Sequence, residues 1–209
     1  MTNDKHPHRG PSATLALAVS FPLLLGACAT VAPPEEAVTV PDALPVMAWD
    51  HTGPHTDQWT EATLAALEAE GATLLSQVPA DIGSWCPHYV QAEPRERAAF
   101  WAGLLSALAR FESTWNPQAV GGGGQWFGLV QISPATARGY GCDATSGAAL
   151  QDGAENLECA VRIASETVAR DGVVAAGGGG FAADWGPFAS ASKREEMADW
   201  VSSQDYCTG

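Results

Sequence analysis

The sequence predicts an almost wholly α-helical domain, on three observations. Apolar residues recur at three- and four-residue spacing through several long segments, those segments begin and end at recognisable caps and breakers, and no stretch alternates as a strand. At 209 residues with 46% hydrophobic content and eight tryptophans, the chain can form one substantial core plus appendages.

A first helix is expected over Asp57–Val78, with Leu64, Leu67, Gly71, Leu74 or Leu75 and Val78 on its inner face, ended by Pro79. The second runs from Pro94, a residue tolerated in a first turn, to Phe111, with Phe100, Leu104, Leu108 and Phe111 as its stripe. Ser133-Pro134 opens a third: the serine can cap free amides, and Gly139 or Gly141 closes the helix. Asp152 and Glu155 are spaced as a capping box for a fourth, which carries Leu157, Val161, Ala164 and Val168 to about Arg170 before Gly172. A last helix spans Ser192–Ser203. Two tetraglycines, Gly121–Gly124 and Gly177–Gly180, interrupt the pattern. One precedes Gln125-Trp126-Phe127 and the other precedes Phe181 and Trp185. Both read as flexible loops with aromatic tips, and Trp126 and Trp185 are either core anchors or platforms for a ring-shaped ligand. Neither is a phosphate loop, because neither follows a strand and no Gly-Lys-Ser/Thr completes the pattern.

The ends carry different signals. Lys5 and Arg9, the apolar run Ala13–Gly26 and then Leu25-Gly26-Ala27-Cys28 read as a processed leader over 1–27, with too short an apolar run to span a bilayer. Leu-Gly-Ala-Cys resembles a bacterial lipobox, which implies lipidation of Cys28, and Ala29-Thr30 after it, with no aspartate, resembles outer-membrane sorting in Gram-negative bacteria. Ordinary secretion is the competing reading, since Ala27-Cys28-Ala29 also fits a small-x-small cleavage site. Residues 28–56, rich in Pro, Ala, Val and Glu, are expected to be an extended, disordered tether, followed by one domain over 57–209. Gly53 and Pro54 lie between His51 and His55, so these histidines read as loop residues rather than a helical ligand pair.

Setting Cys28 aside leaves Cys86, Cys142, Cys159 and Cys207, an even number in an exported chain. Three pairings are possible. The favoured one joins Cys142 to Cys159 across a short loop and Cys86 to Cys207 at the domain's two ends. Zinc is the alternative, but no cysteine pair has two-residue ligand spacing and only His88 is near one, so no metal or other cofactor is expected. Removing the leader leaves 8 basic and 23 acidic residues, a net charge of −15. Such a surface repels polyanions, which argues against nucleic acid as a partner.

The stretch Ala107–Pro117 is where the second helix runs out and presents Glu112. At 100° per residue Glu112 falls in register with Trp101, Leu105 and Leu108, on the apolar side. Desolvation there raises a carboxyl pKa, so that the group can hold a proton near neutral pH and donate it. The competing reading is a surface charge frayed at a helix end. Sixteen residues after it begins Gly128-Leu-Val-Gln131-Ile132-Ser133-Pro134, in which Gln131 offers a donor and an acceptor within an apolar run.

Glu112-Ser113, Trp115-Asn-Pro117, Gly128-Leu-x-Gln131-Ile132-Ser133-Pro134 and Asn156-Leu157 together resemble the SLT-domain lytic transglycosylases, lysozyme-like enzymes of peptidoglycan. The resemblance covers about Cys86–Asn156 and weakens beyond. It implies a lysozyme-like helical fold with a cleft and Glu112 as sole catalytic acid/base. Ser113, Gln131, Ile132 and Asn156, with Trp126 and Trp185, would bind substrate or shape the cleft. It also implies cleavage of the β-1,4 bond between N-acetylmuramic acid and N-acetylglucosamine, leaving a 1,6-anhydro end without water. The partner is then the peptidoglycan glycan strand, met by a periplasmic monomer lipid-anchored at the outer membrane. A hydrolytic lysozyme of the same fold and a non-catalytic peptidoglycan-binding lipoprotein are the alternatives. Asp143 and Asp184 are possible second carboxylates at a distance, and both read as surface or capping residues. Family members commonly carry a late Ala-Tyr-Asn-x-Gly segment whose tyrosine lies near the glutamate. Here the region reads Phe181-Ala-Ala-Asp-Trp-Gly-Pro-Phe188, with no tyrosine between Tyr140 and Tyr206. Either Trp185 takes over part of that wall, or the chain is a divergent member with altered chemistry.

Overall fold

The computed structural model describes residues 43–209; the expected leader and Cys28 lie outside the described residues. Among the described residues eight α-helices follow one another: α1 (Thr56–Ala69), α2 (Ala72–Ser76), α3 (Pro94–Ser113), α4 (Pro134–Gly139), α5 (Gly147–Leu150), α6 (Gly153–Asp171), α7 (Ala191–Ser202) and α8 (Asp205–Thr208). Between α3 and α4 lies a small antiparallel hairpin, β1 (Val120–Gly121) and β2 (Trp126–Phe127), paired Val120 to Phe127 and Gly121 to Trp126. The helical fold class is as expected. The hairpin was not, because two-residue strands cannot show alternation.

The strongest helix starts are the local ones. Glu93 and Glu96 form a reciprocal capping box ahead of Pro94, and the Ser133 hydroxyl accepts from the Thr136 amide (3.0 Å). Asp152 caps α6 by accepting from Ala154 and Glu155 amides (2.9 and 3.2 Å), without the return bond a full box requires. Gly172, in the left-handed region, closes α6.

α3 is the central element. Its stripe was expected on one face, yet residues 98–109 are buried all round. Ala99, Ala102, Gly103 and Ala107 keep the helix thin enough for neighbours on every side. A Cβ at Gly103 would sit 2.2 Å from the Tyr206 hydroxyl of α8. α1 packs on α6 behind the site, while α7 and α8 cover the other flank of α3. Disulfides Cys86–Cys207 and Cys142–Cys159 close spans of 121 and 17 residues. In a chain-entropy account these contribute about 5 and about 3 kcal/mol.

Two boundaries differ from expectation. The first helix is broken, because Gly71 is buried where a Cβ would be 2.7 Å from the Leu67 backbone, and the Glu70 and Gly71 amides both turn back to Ala66. Val78, expected inside, is exposed. The packed body also begins before residue 57. Met47 and Trp49 are buried, Trp49 donates to the Thr60 hydroxyl (3.0 Å), and the Ala48 amide donates to Ser106 of α3 (2.9 Å). Each buried side chain here contributes about 2 kcal/mol, enough to hold an otherwise unpatterned segment in place. Among the described residues no helix is long and apolar enough to cross a membrane.

Candidate active site

Glu112 and Ser113 are the last two residues of α3, and the chain beyond them reverses sharply. Thr114 and Trp115 both adopt left-handed backbone (φ 54° and 57°), a conformation that costs a non-glycine residue about 1–2 kcal/mol. The reversal is held by its own contacts. The Trp115 amide returns to Ala109 (3.2 Å), its indole donates to the Ser106 carbonyl (2.9 Å), and His51 packs edge-on against the indole at 4.7 Å. The Ser113 hydroxyl donates to Ala109 (3.2 Å) and accepts from the Asn116 amide (3.1 Å), so it fixes the turn beyond Glu112.

Glu112 is half-buried, and desolvation pushes its pKa up to about 7 against a smaller opposing effect from the Lys193 charge. A carboxyl of this kind is shared between acid and base forms at neutral pH, the condition under which one group can donate and then recover a proton. Among the described residues no other carboxylate shifts it. Asp184 accepts from the Tyr140 hydroxyl (2.9 Å), and Asp143 lines a separate acidic hollow with Glu155 and Glu158. Among the described residues no cluster of ligating side chains could hold a metal.

The hairpin and the 128–132 loop form one wall. Asn156, fully buried on α6, clamps this loop: its Oδ1 accepts from the Val130 amide (2.9 Å), and its Nδ2 donates to the Phe127 and Leu150 carbonyls (both 3.0 Å). Gly128 makes the clamp possible, since a Cβ there would meet the Leu150 carbonyl at 2.1 Å and Asn156 at 2.4 Å. Gln131, itself left-handed (φ 51°), donates through Nε2 to Gly128 (2.9 Å) and Ala119 (3.3 Å). Among the described residues nothing donates to its Oε1, which leaves an acceptor for a ligand hydroxyl or amide. Ile132 is buried beneath this wall, so it supports the loop rather than facing a ligand.

The two tryptophans part company. Trp126 is 46% exposed, and its ring lies across the Gly121–Gly122 backbone, where a Cβ on Gly122 would come within 2.1 Å of it. Trp185 is buried, donates to the Val130 carbonyl (2.9 Å) and packs on Phe181, which stacks on Trp101. Of its two readings, anchor and platform, Trp185 takes the anchor's: it ties the 181–190 segment to the 128–132 loop, and its buried ring is not available to a ligand.

The family described as Transglycosylase SLT domain matches residues 90–196, just over half of the chain. The chain belongs to this family. The SLT match takes in Glu112, the hairpin with the 128–132 loop, Trp185 and the start of α7. Among solved structures the chain is similar to DslA in its wild-type form, at 28% identity and a TM-score of 0.72, over 79% of this chain and 100% of that one. Two glutamate-to-glutamine variants of DslA match over the same shares, at 28% identity with a TM-score of 0.72 and at 27% with 0.71. No curated relative matches. As an SLT-domain protein with a lysozyme-like helical fold, the chain is of the lytic transglycosylase type that acts on peptidoglycan glycan strands, in the periplasm or cell wall. One residue escaped the sequence reading: Lys193, whose charge reaches Glu112 from α7. Its only signal was rarity, since it is the one lysine beyond Lys5.

Proposed function

We propose that the protein cleaves the β-1,4 bond between N-acetylmuramic acid and N-acetylglucosamine with Glu112 as its sole acid/base, leaving a 1,6-anhydro end. In the first step the protonated Glu112 gives its proton to the glycosidic oxygen as the C1–O bond breaks. In the second, the Glu112 carboxylate takes the proton of the muramoyl C6 hydroxyl as that oxygen bonds to C1. One strand becomes two, no water is consumed, and Glu112 ends protonated as it began. What carries this reading is a half-buried carboxyl at the end of α3, raised to about 7 by desolvation, with no second carboxylate acting on it among the described residues. Glycosidases that use water or a covalent intermediate need a carboxylate pair at a set separation.

The other residues take supporting parts. Ser113 and Asn156 hold the backbone around the acid, the Gln131 Oε1 receives a sugar hydroxyl or amide, and Trp126 stacks on a sugar ring along the strand. Because the strand is itself anionic and the protein carries a net charge of −14, affinity must come from stacking and hydrogen bonds. Lipidation at Cys28 would place the enzyme at the outer membrane, facing its substrate.

Mass spectrometry of muropeptides released from purified sacculi tests this, with Glu112→Gln in parallel. The wild type is expected to release products ending in 1,6-anhydromuramic acid and the variant none. Equal release by both proteins would remove Glu112 from the chemistry, and binding without release would mark a scaffold.

A further inference from the structure

A hollow of about 430 Å³ opens where the start of α6 meets α1 and the segment after Asn116, and Glu112 is not part of its lining. Its volume falls in the range of ligand hollows, roughly 300–1,000 Å³. At its wall stands Trp59 of α1, only 8% exposed, whose ring meets Trp49 edge-on. A buried indole N–H ordinarily finds a partner, yet among the described residues nothing accepts from the Trp59 Nε1–H. Glycine at 153, the first residue of α6, is what lets that nitrogen come so close to the helix start: a Cβ there would fall 2.3 Å from it.

The groups around the indole supply acceptors. Gln118 and Gln151 donate through Nε2 to each other's backbone carbonyls (both 2.8 Å), which fixes the two amides and leaves both Oε1 atoms without a donor among the described residues. Asp152 uses Oδ1 to cap the Ala154 and Glu155 amides, and its Oδ2 stays open. One donor beside three acceptors suits a neutral ligand rich in hydroxyl and amide groups. An anion is disfavoured, because Asp152 already occupies the amides of the helix start and brings its own negative charge. The hollow also borders the wall of the candidate site. Gln118 precedes Ala119, whose carbonyl accepts from Gln131, and Gln151 follows Leu150, whose carbonyl accepts from Asn156.

On the reading that the substrate is a peptidoglycan glycan strand, we propose that this hollow is a second glycan site. It takes one N-acetylated amino-sugar residue through the Trp59 N–H and the Gln118, Gln151 and Asp152 oxygens. That residue is the part of a strand that matches, being uncharged, with an amide carbonyl for the indole and an amide N–H and hydroxyls for the acceptors. A stem peptide would bring carboxylates towards Asp152, like charge against like. The site contributes to strand capture and has no part in breaking the bond.

The test follows the indole N–H signals of the ¹⁵N-labelled protein by nuclear magnetic resonance as N,N′-diacetylchitobiose is added, with Trp59→Phe identifying the Trp59 signal. That signal should shift saturably. Gln151→Ala should weaken its titration about fivefold, as loss of one neutral hydrogen bond does, and leave the Trp126 signal as in the wild type. Trp59→Phe keeps a ring against Trp49, and its own weaker binding is read from the Gly153 and Ala154 amides. An unmoved Trp59 signal overturns the proposal, as does an equal titration in wild type and Gln151→Ala. A shift with the dipeptide L-Ala-D-Glu and none with the sugar overturns it too, and makes the hollow a peptide site. The titration needs no turnover, so the two readings fail separately. A shift in a protein that cleaves no sacculi keeps the hollow and removes the Glu112 reaction, and cleavage with an unmoved Trp59 signal does the reverse.

Discussion

The two tetraglycines are identical in sequence and opposite in use. In Gly121–Gly124 the backbone turns outward as the end of a hairpin. Gly123 and Gly124 have nothing within reach of an added Cβ, and the loop serves as a bed for the exposed Trp126. In Gly177–Gly180 the backbone turns inward: Gly180 is buried against the Val173 and Val174 carbonyls, and Phe181 and Trp185 enter the core. Local composition sets only the freedom to turn. The packing partners within reach of the downstream residues decide whether an aromatic becomes a platform or an anchor.

The largest test of that contrast is to truncate both tryptophans. Trp185→Ala should cost about 3–5 kcal/mol, because it empties a packed site and orphans the Val130 carbonyl. Trp126→Ala should stay within about 0.5 kcal/mol of wild type, as an exposed side chain does. Denaturant unfolding of the two variants compares them, and equal losses would break the distinction. Next come the glycines themselves. Gly180→Ala should destabilise by roughly 2–4 kcal/mol, combining positive φ with a Cβ 2.3 Å from two carbonyl oxygens. Gly123→Ala meets positive φ alone and should cost about 1 kcal/mol. Calorimetry distinguishes these.

Glu112, at the end of α3, gives a smaller and pH-dependent effect. Its folded pKa lies above its unfolded value near 4.5, so the folded state binds the proton more tightly. Stability therefore falls as pH rises from about 4.5 and levels off above about 7. Glu112→Gln should thus be the more stable protein at pH 8, by about 1–2 kcal/mol after allowing for solvent screening, and equal to wild type below pH 4. Melting curves at the two pH values check the sign. The smallest expected effect is on binding: Trp126→Ala should weaken a long glycan strand by about 1 kcal/mol, roughly fivefold in KM, with kcat little changed.

Much of the fold was legible because its signals are local. Pro94 and Ser133-Pro134 mark helix starts wherever they occur, and Asp152 and Gly172 bracket α6 by short-range bonds. The failures were all cases in which a distant neighbour decides. Gly71 breaks a well-patterned helix through close contact, Met47 and Trp49 leave an unpatterned segment for a core built by later residues, and Trp185 goes inward to Val130, 55 residues away. The candidate site divides the same way. Glu112 could be placed from the angular register of its own helix, whereas the work of Asn156 as a three-bond clamp and the reach of Lys193 exist only once α6 and α7 pack beside the hairpin and α3.

The central claim is that one carboxyl completes the reaction without water, and digestion of sacculi in ¹⁸O-labelled water reads it directly. Unlabelled 1,6-anhydro ends are expected from the wild type and no new ends from Glu112→Gln. Reducing ends carrying ¹⁸O would contradict that claim and make the protein a hydrolase, with a water-holding group still to be found.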